Sequence, residues 1–382
     1  MDPKTKEAHL SGLVERIGTK GTNIKYQQNQ KTISEKLPNI RYHQALQAIT
    51  KIVNSSKNIS QNILAVGHRV VHGGENFTKS AIITKKVLKA IRDCQTLAPL
   101  HNPANILGIE GAMKAFPDKK QVAVFDTAFH QTMPRHSYIY PIPYDLYKKH
   151  KIRRYGFHGT SHRFVSKKAA DMLQKDLKKC AFITAHLGNG CSVAAILNGK
   201  SVDTSMGLTP LEGLMMGTRS GDVDPGLHAH LANNLKLDIH KINDILNKKS
   251  GLLGVSGVDS DMRTIEEKAS KGNKRAALAL EIFCYRLAKY IASLVVPLGK
   301  IDALIFTGGI GENSETVRKK TLLWLKFLGF KIDPKSNKVN GKKSGGIITK
   351  KLSNVAMVVP TNEELLIAED TLHLVKRSRK KE

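Results

Sequence analysis

The 382-residue chain carries 61 lysines and arginines against 32 aspartates and glutamates, a formal net charge of +29, with 41% hydrophobic and 5% aromatic residues. That length exceeds one ordinary core and predicts about two domains, while the N-terminal "MDPKTKEAHLSG" lacks a signal peptide's apolar core and the longest apolar run, near "YIASLVVPLG", falls far short of a membrane span. Cys94, Cys180, Cys191 and Cys284 show neither CxxC nor metal-ligand spacing, which argues against a disulfide framework and for a reducing, cytoplasmic setting. The lysines are spread along the chain, densest at 335–351 and in the tail "KRSRKK" at 376–381, without an RNA-reading motif or interleaved aromatics. They read as solvated surface, and no nucleic-acid partner is expected.

Apolar segments bounded by glycine alternate with amphipathic ones, which is an α/β pattern. In chain order, "SGLVERIG" and "TNIKYQ" precede a helix near residues 42–53. "ILAVGHRVVHGG" (63–74) and "KQVAVFDTAF" (120–129) read as strands with polar residues at their C-terminal ends, where open α/β sheets place ligands. From Cys180, "CAFITAHL" reads as a buried strand, Gly188–Gly190 as a tight loop, "CSVAAIL" as a second strand, Asn198-Gly199 as a hairpin turn and "KSVDTSM" as a third strand. Backbone N–H groups in such a glycine loop can face one anion. Helices are predicted over "DPGLHAHLANN", "DIHKINDILNKK" and "DSDMRTIEEKA", the last N-capped by Asp259 or Ser260. A long helix over 274–298 follows, its apolar stripe serving the core, and then the strand "DALIFTGG" runs into "GIGENSETVRKK", a glycine turn opening a helix towards a phosphate or ribose.

Several of these segments carry candidate chemistry. "MGTRSGDVDPG" (216–226) sets Arg219 among residues that favour neither helix nor strand. Asp126, at a strand end, reads equally as an N-cap or a catalytic acid, and His158 as a structural or a functional histidine. His158 and His162 form an HxxxH spacing without the acidic partner of a zinc helix. Glu363 in "TNEEL" sits where a first-turn acid would favour the last helix.

Taken together and in this order, "GHRVVHGG", "VFDTAFH", "RRYGFHGTSH", "AHLGNGCS", "GTRSGDVDPG", "FTGGIGEN" and "PTNEEL" resemble the acetate kinase family, from about Gly12 to near Leu374. The resemblance implies two ribonuclease-H-like domains of the actin-like ATPase type facing a cleft: an N-terminal domain over 1–127 joined by a C-terminal helix at 363–380, and a nucleotide-binding domain over 128–362. It implies direct in-line phosphoryl transfer from ATP to acetate with Mg²⁺ (or Mn²⁺), by a cytoplasmic homodimer. Arg69 and Arg219 would hold the acetate and the transferring phosphoryl group, His158 would donate to its oxygens, and Asp126 would stand beside the reacting centre. His101 and His186 would support them. The outer phosphates would meet His186, Leu187, Gly188, Asn189 and Gly190, the nucleoside Asp261, Met262 and Arg263, and the adenosine end Gly309, Ile310, Gly311, Glu312 and Asn313. Glu363 would be associated with magnesium.

Members of the family open with a strand and an "NxGSSSxK" turn ahead of the segment matching "GLVERIG", and neither is written here. The first domain is therefore expected to be N-terminally truncated, leaving unpaired edges on two neighbouring strands and a chain of low stability and activity. A start assigned too late, a decayed gene and a chain that fills the gap by other means are the competing explanations. Two other functional readings remain open on sequence: a kinase for propionate or butyrate, and an inactive nucleotide- or nucleic-acid-binding remnant.

Overall fold

The computed structural model describes residues 1–28, 31–98 and 101–380, so Lys381 of the basic tail lies outside the described residues. The chain divides into two compact units, Met1–Ala128 with Asn362–Glu382, and Phe129–Thr361.

In the first unit, β1 (Leu10–Glu15), β2 (Asn23–Gln28) and β3 (Lys31–Lys36) form an antiparallel sheet in the order β1-β2-β3. The third of these strands was not anticipated: every residue of "KTISEK" is exposed, so it carries no buried alternation to read. A second sheet has the order β4-β6-β5, with β4 (Ala65–Val70) parallel to β6 (Lys120–Phe125) and β5 (Ala81–Ile82) antiparallel to it. Among the described residues, β1 and β4 are each paired along one edge only.

The β6 strand is buried on both faces, and its period of two separates them. Ala123 and Phe125 join Val70, Ile91, Ile106 and Ile109, the last three from the helices Lys85–Asp93 and Asn102–Ala115. Val122 and Val124 face Val375, Ile367 and Leu374 of the Glu363–Arg379 helix. One helix thus closes the far face of the sheet and delivers Glu363 from its first turn.

The second unit holds a five-stranded sheet in the order β11-β10-β7-β8-β9: β7 (Ala181–Leu187), β8 (Cys191–Leu197), β9 (Lys200–Thr204), β10 (Ala303–Thr307) and β11 (Ala356–Val358). The first three form an antiparallel meander, and β10 and β11 add in parallel beside β7. Phe182, Ala194, Ile196, Ile305 and Met357 pack with Val165, Ala169 and Ala170 of the Gly159–Met172 helix.

Three local expectations need correction. The Met262–Ser270 helix is N-capped by Asp261, whose carboxylate accepts from Arg263 N; Asp259 instead accepts from the backbones of Ser260 and Asp261, forming a turn one step earlier. The long helix ends at Ser293, short of Leu298, just ahead of Pro297. "GIGENSETVRKK" yields two helices, Gly308–Asn313 and Glu315–Trp324, because Ser314 leaves helical geometry and caps the second through Val317 N.

The contact of β4 with the Glu363–Arg379 helix depends on Gly67. A Cβ there would stand 2.5 Å from Thr371 Oγ1 and 2.6 Å from Ile367 Cγ2. Gly67→Ala is expected to cost about 1–3 kcal/mol by overpacking, read as a lower denaturant midpoint; an unchanged midpoint would show that the helix shifts freely on the sheet.

Candidate active site

In the first unit, the parallel register places Arg69 opposite Val124 and Val70 opposite Phe125, so Asp126 emerges just beyond the ends of both strands. Its amide donates to Val70 O at 2.9 Å, and its side chain is almost fully buried. Arg69 Nε lies 3.1 Å from both Asp126 carboxylate oxygens, and Nη2 donates to Oδ2 at 2.8 Å. The Arg69 Nε is also 3.7 Å from Glu363 Oε2. Asp126 raises the Arg69 pKa against the opposing effect of burial. Burial pushes the Glu363 carboxyl above its ordinary value, opposed by Arg69 and reinforced by Asp126.

Asn362 caps the helix that starts at Glu363 by accepting from Leu365 N. Glu363 Oε2 is buried without a hydrogen-bond partner among the described residues. His101 stands at the N-terminus of the Asn102–Ala115 helix, whose Asn102 side chain ties His72 and Ile91 together.

In the second unit, His158 is the N-cap of the Gly159–Met172 helix at a left-handed φ of 56°, a strained conformation for a non-glycine residue. Its ring stacks on His186 with centroids 4.4 Å apart, and its Nδ1 is 2.8 Å from Ser192 Oγ on β8. His186 Nδ1 is 2.8 Å from Ser161 Oγ, which in turn lies 2.9 Å from Thr361 Oγ1. The Gly188–Gly190 loop follows directly, closed by Gly188 N donating to Gly190 O.

The arginine loop meets the glycine loop where Gly217 N donates to Asn189 O at 3.0 Å. A Cβ placed on Gly190 would stand 3.5 Å from both Arg219 Nη1 and His158 Nε2. Two nitrogens carried by distant segments therefore converge on one point beside the Gly188–Gly190 loop. Arg219 donates from Nη1 to Pro210 O at 3.1 Å and makes no ion pair among the described residues. Burial pulls its guanidinium below the ordinary arginine value.

Polar anchors hold this loop. Asp222 Oδ1 accepts from Gly213 N at 2.7 Å, its Oδ2 accepts from the Tyr290 hydroxyl, and its carbonyl accepts from Arg286. Arg154 donates to Thr204 O, Ser205 O and Met206 O and pairs with Glu212, which also receives the Tyr140 hydroxyl. Cys191 is buried nearby with its thiol pushed up to about 12, which leaves it no thiolate to act as a nucleophile.

The nucleoside candidates fall on two other segments. Asp261 and Arg263 pair with each other at the surface, while Met262 between them is buried. Glu312 Oε1 accepts from Gly308 N at 2.9 Å and Thr361 N at 3.1 Å, so this carboxylate holds backbone. The carbonyls of Gly311 and Glu312 are capped by the buried Arg318. Gly309 and Asn313 remain exposed, with Ile310 half-buried between them.

The residues missed on sequence are the supports Thr184, Ser192, Asp222, Arg154 and Arg318, and His162, noted there only for its HxxxH spacing, joins them. A readable signal existed for Thr184 and Ser192, polar side chains inside otherwise apolar strands, which must find partners when buried. His162 is fully buried, its Nδ1 2.7 Å from Thr184 Oγ1 and its Nε2 2.8 Å from Ser192 Oγ. Burial, with His130 and His186 adding to it, holds His162 well below its ordinary value of 6.5. The unfolded chain therefore binds a proton below 6.5 that the folded chain refuses, and stability is lost as pH falls. His162→Gln is expected to flatten this acid limb by up to about 1.4 kcal/mol per pH unit, measured by urea unfolding between about pH 7 and pH 5; parallel limbs would show that His162 protonates in the folded state.

Comparison with known proteins bears on the whole chain. The acetokinase family profile matches residues 1–369. An acetate kinase from Shewanella putrefaciens is 53% identical over 379 residues, covering 99% of this chain and 95% of that protein. The crystal structure of a propionate kinase from Francisella tularensis superposes with a TM-score of 0.93 at 47% identity, covering 98% of this chain and 95% of the other. Porphyromonas gingivalis acetate kinase gives 0.89 at 45% identity, covering 97% and 94%. The chain belongs to the acetokinase family, as a phosphotransferase with a carboxyl group as acceptor and the α/β fold of its actin-like ATPase relatives.

Proposed function

We propose that this chain transfers a phosphoryl group reversibly from ATP to acetate, giving acetyl phosphate and ADP by direct in-line displacement. The observation that carries the reading is the convergence of Arg219 Nη1 and His158 Nε2 beside Gly190, with the Arg219 guanidinium paired to no carboxylate among the described residues. Phosphoryl transfer asks the protein for alignment and for neutralisation of charge on equatorial oxygens. Arg219 supplies a permanent charge in a planar fork, and His158 supplies a directed donor. The glycine loop from Gly188 to Gly190 and His186 take the outer phosphates. Asp261, Met262, Arg263 and Gly309 to Asn313 take the nucleoside, with Met262 contributing backbone only since its side chain is buried.

Arg69 takes the carboxylate substrate with Asp126 holding its fork in place. Glu363, with Asp126, suits a hard cation: both are oxygen donors, and the buried Glu363 Oε2 lacks a hydrogen-bond donor. Mg²⁺ commonly takes only one or two protein carboxylates and keeps its waters, so this pair fits it. Bound there, the ion would offset phosphate charge.

The Francisella propionate kinase favours a second substrate reading, since its fit to this chain is as good as that of the acetate kinases. One methylene is worth about 1–3 kcal/mol, so relative kcat/KM for acetate, propionate and butyrate separates the two. A homodimer through the second unit is supported by exposed Tyr285, Leu323, Trp324 and Phe327 on neighbouring helices.

The direct test is ATP- and acetate-dependent acyl phosphate formation by the purified chain. Arg219→Ala is expected to lower kcat by about 100- to 1000-fold, and Arg219→Lys to recover part of it, since a point charge replaces the fork. Undiminished turnover in Arg219→Ala would overturn the assignment. Inversion at a chiral phosphorus supports direct displacement; retention would require a covalent phosphoenzyme.

A further inference from the structure

We propose that Thr184, Ser192 and His162 are positioning residues that fix the proton of neutral His158 on Nε2, the nitrogen beside Arg219. The inference rests on the reading of His158 as the donor to the phosphoryl group. It goes beyond that reading by naming what decides whether His158 can donate at all.

A single file of polar atoms runs between one face of the sheet and the Gly159–Met172 helix. Thr184 Oγ1 lies 2.7 Å from His162 Nδ1, His162 Nε2 lies 2.8 Å from Ser192 Oγ, and Ser192 Oγ lies 2.8 Å from His158 Nδ1. Thr184, His162 and Ser192 are each fully buried. Thr184 and Ser192 belong to adjacent strands, β7 and β8, whose antiparallel register sets Thr184 opposite Ala194 and His186 opposite Ser192.

Each hydroxyl donates one proton, and a neutral imidazole carries one N–H and one lone pair. Both His162 nitrogens are committed to hydroxyls, and its burial keeps it neutral, so one hydroxyl must donate to it and the other accept from it. The Thr184 hydroxyl has two acceptors in reach: the His162 ring at 2.7 Å and Ala194 O at 3.5 Å. The second is at the limit of a hydrogen bond, and the proton goes to the ring. The order of the file follows from that choice. Thr184 donates to His162 Nδ1, His162 Nε2–H donates to Ser192, and Ser192 donates to His158 Nδ1.

With Nδ1 accepting, the single proton of neutral His158 sits on Nε2. That nitrogen and Arg219 Nη1 stand equally 3.5 Å from the position a Cβ of Gly190 would take. The reverse order would leave a lone pair there, and a lone pair repels an anionic oxygen. The difference between a donor and an acceptor at the phosphoryl site is thus set two side chains away, by a threonine that does not touch His158.

The test has two readouts on the full-length protein. In the first, long-range proton–nitrogen correlation spectra of the ¹⁵N-histidine-labelled chain, with His158 identified by its loss in His158→Gln, report the tautomer. A protonated Nε2 and bare Nδ1 are expected; a proton on Nδ1 would overturn the proposal. In the second, Thr184→Val and Ser192→Ala are expected to lower kcat by about 10- to 100-fold with KM for ATP and acetate nearly unchanged, and Thr184→Ser to restore it. Unchanged kcat in both variants, alongside loss in His158→Gln, would overturn the relay while leaving the role of His158 standing. Full turnover in His158→Gln would instead remove the phosphoryl role, and the tautomer spectrum would still decide the proton order. Thermal melts of each variant separate a lost fold from a lost proton order.

Discussion

The second unit is organised around a guanidinium held partly out of water with most of its hydrogen-bonding capacity unspent. Arginine has five N–H donors, and three arginines here show three ways of treating them. Arg318 is fully buried and spends every one, on Asn337 Oδ1, Gly311 O, Glu312 O, Asn337 O and Asn340 Oδ1. Arg69 spends Nε and Nη2 on Asp126. Arg219 spends Nη1 on one carbonyl and grazes the Met216 sulfur at 3.9 Å. Burial disfavours the charge in both Arg318 and Arg219, yet Arg318 is repaid by five acceptors and Arg219 by a single carbonyl oxygen among the described residues. A cation left in that condition is stable only if the backbone carrying it is fixed, which is the work of Asp222, Tyr290, Arg154 and Glu212 around the loop.

The same logic extends into the sheet. Thr184, Ser192 and His162 occupy positions where a valine, an alanine and a leucine would pack without polar cost. Buried polar groups are tolerated when every partner is present, and a satisfied network is stiffer than an apolar core because each member accepts one geometry. Here the network begins in the apolar layer and ends at His158, whose left-handed backbone is itself a strained choice maintained by its surroundings. The rigidity that packing gives the sheet is thereby passed to a side chain beside the turn from β7 to β8.

The parts legible in the sequence are those written in local pattern. Strand ends rich in glycine and charge announce Arg69, Asp126 and the Gly188–Gly190 loop, because clusters of glycine and polar residues that end an apolar run mark where the chain turns. What is not legible depends on register or on competition between neighbours. That Arg69 is paired with Asp126 follows from β4 lying in parallel register with β6, a long-range fact no window of sequence contains. Asp259, Ser260 and Asp261 can each cap a helix, and the winner is decided by which carboxylate reaches Arg263 N. The β3 strand is exposed on both faces and held by its pairing with β2, so hydrophobic periodicity is silent about it. Ser192 is readable as an anomaly in an apolar strand, but its two histidine partners come from another element.

Crowding sets the final limit on the site. His158 and His186 stack at 4.4 Å, and His162 lies 6.5 Å from the first and 6.4 Å from the second. Two imidazolium charges at the stacking distance would repel by about 4 kcal/mol at an effective dielectric near 20, and Arg219 already contributes a permanent charge at the same point. The cluster therefore disfavours two charged rings at once, and a neutral ring helps a phosphoryl group only through a correctly placed N–H. In the proposed transfer, Arg219 would supply the charge at this point and His158 the direction. Placing a proton rather than adding a charge lets four histidines, His130, His158, His162 and His186, share one corner of the unit without destabilising it.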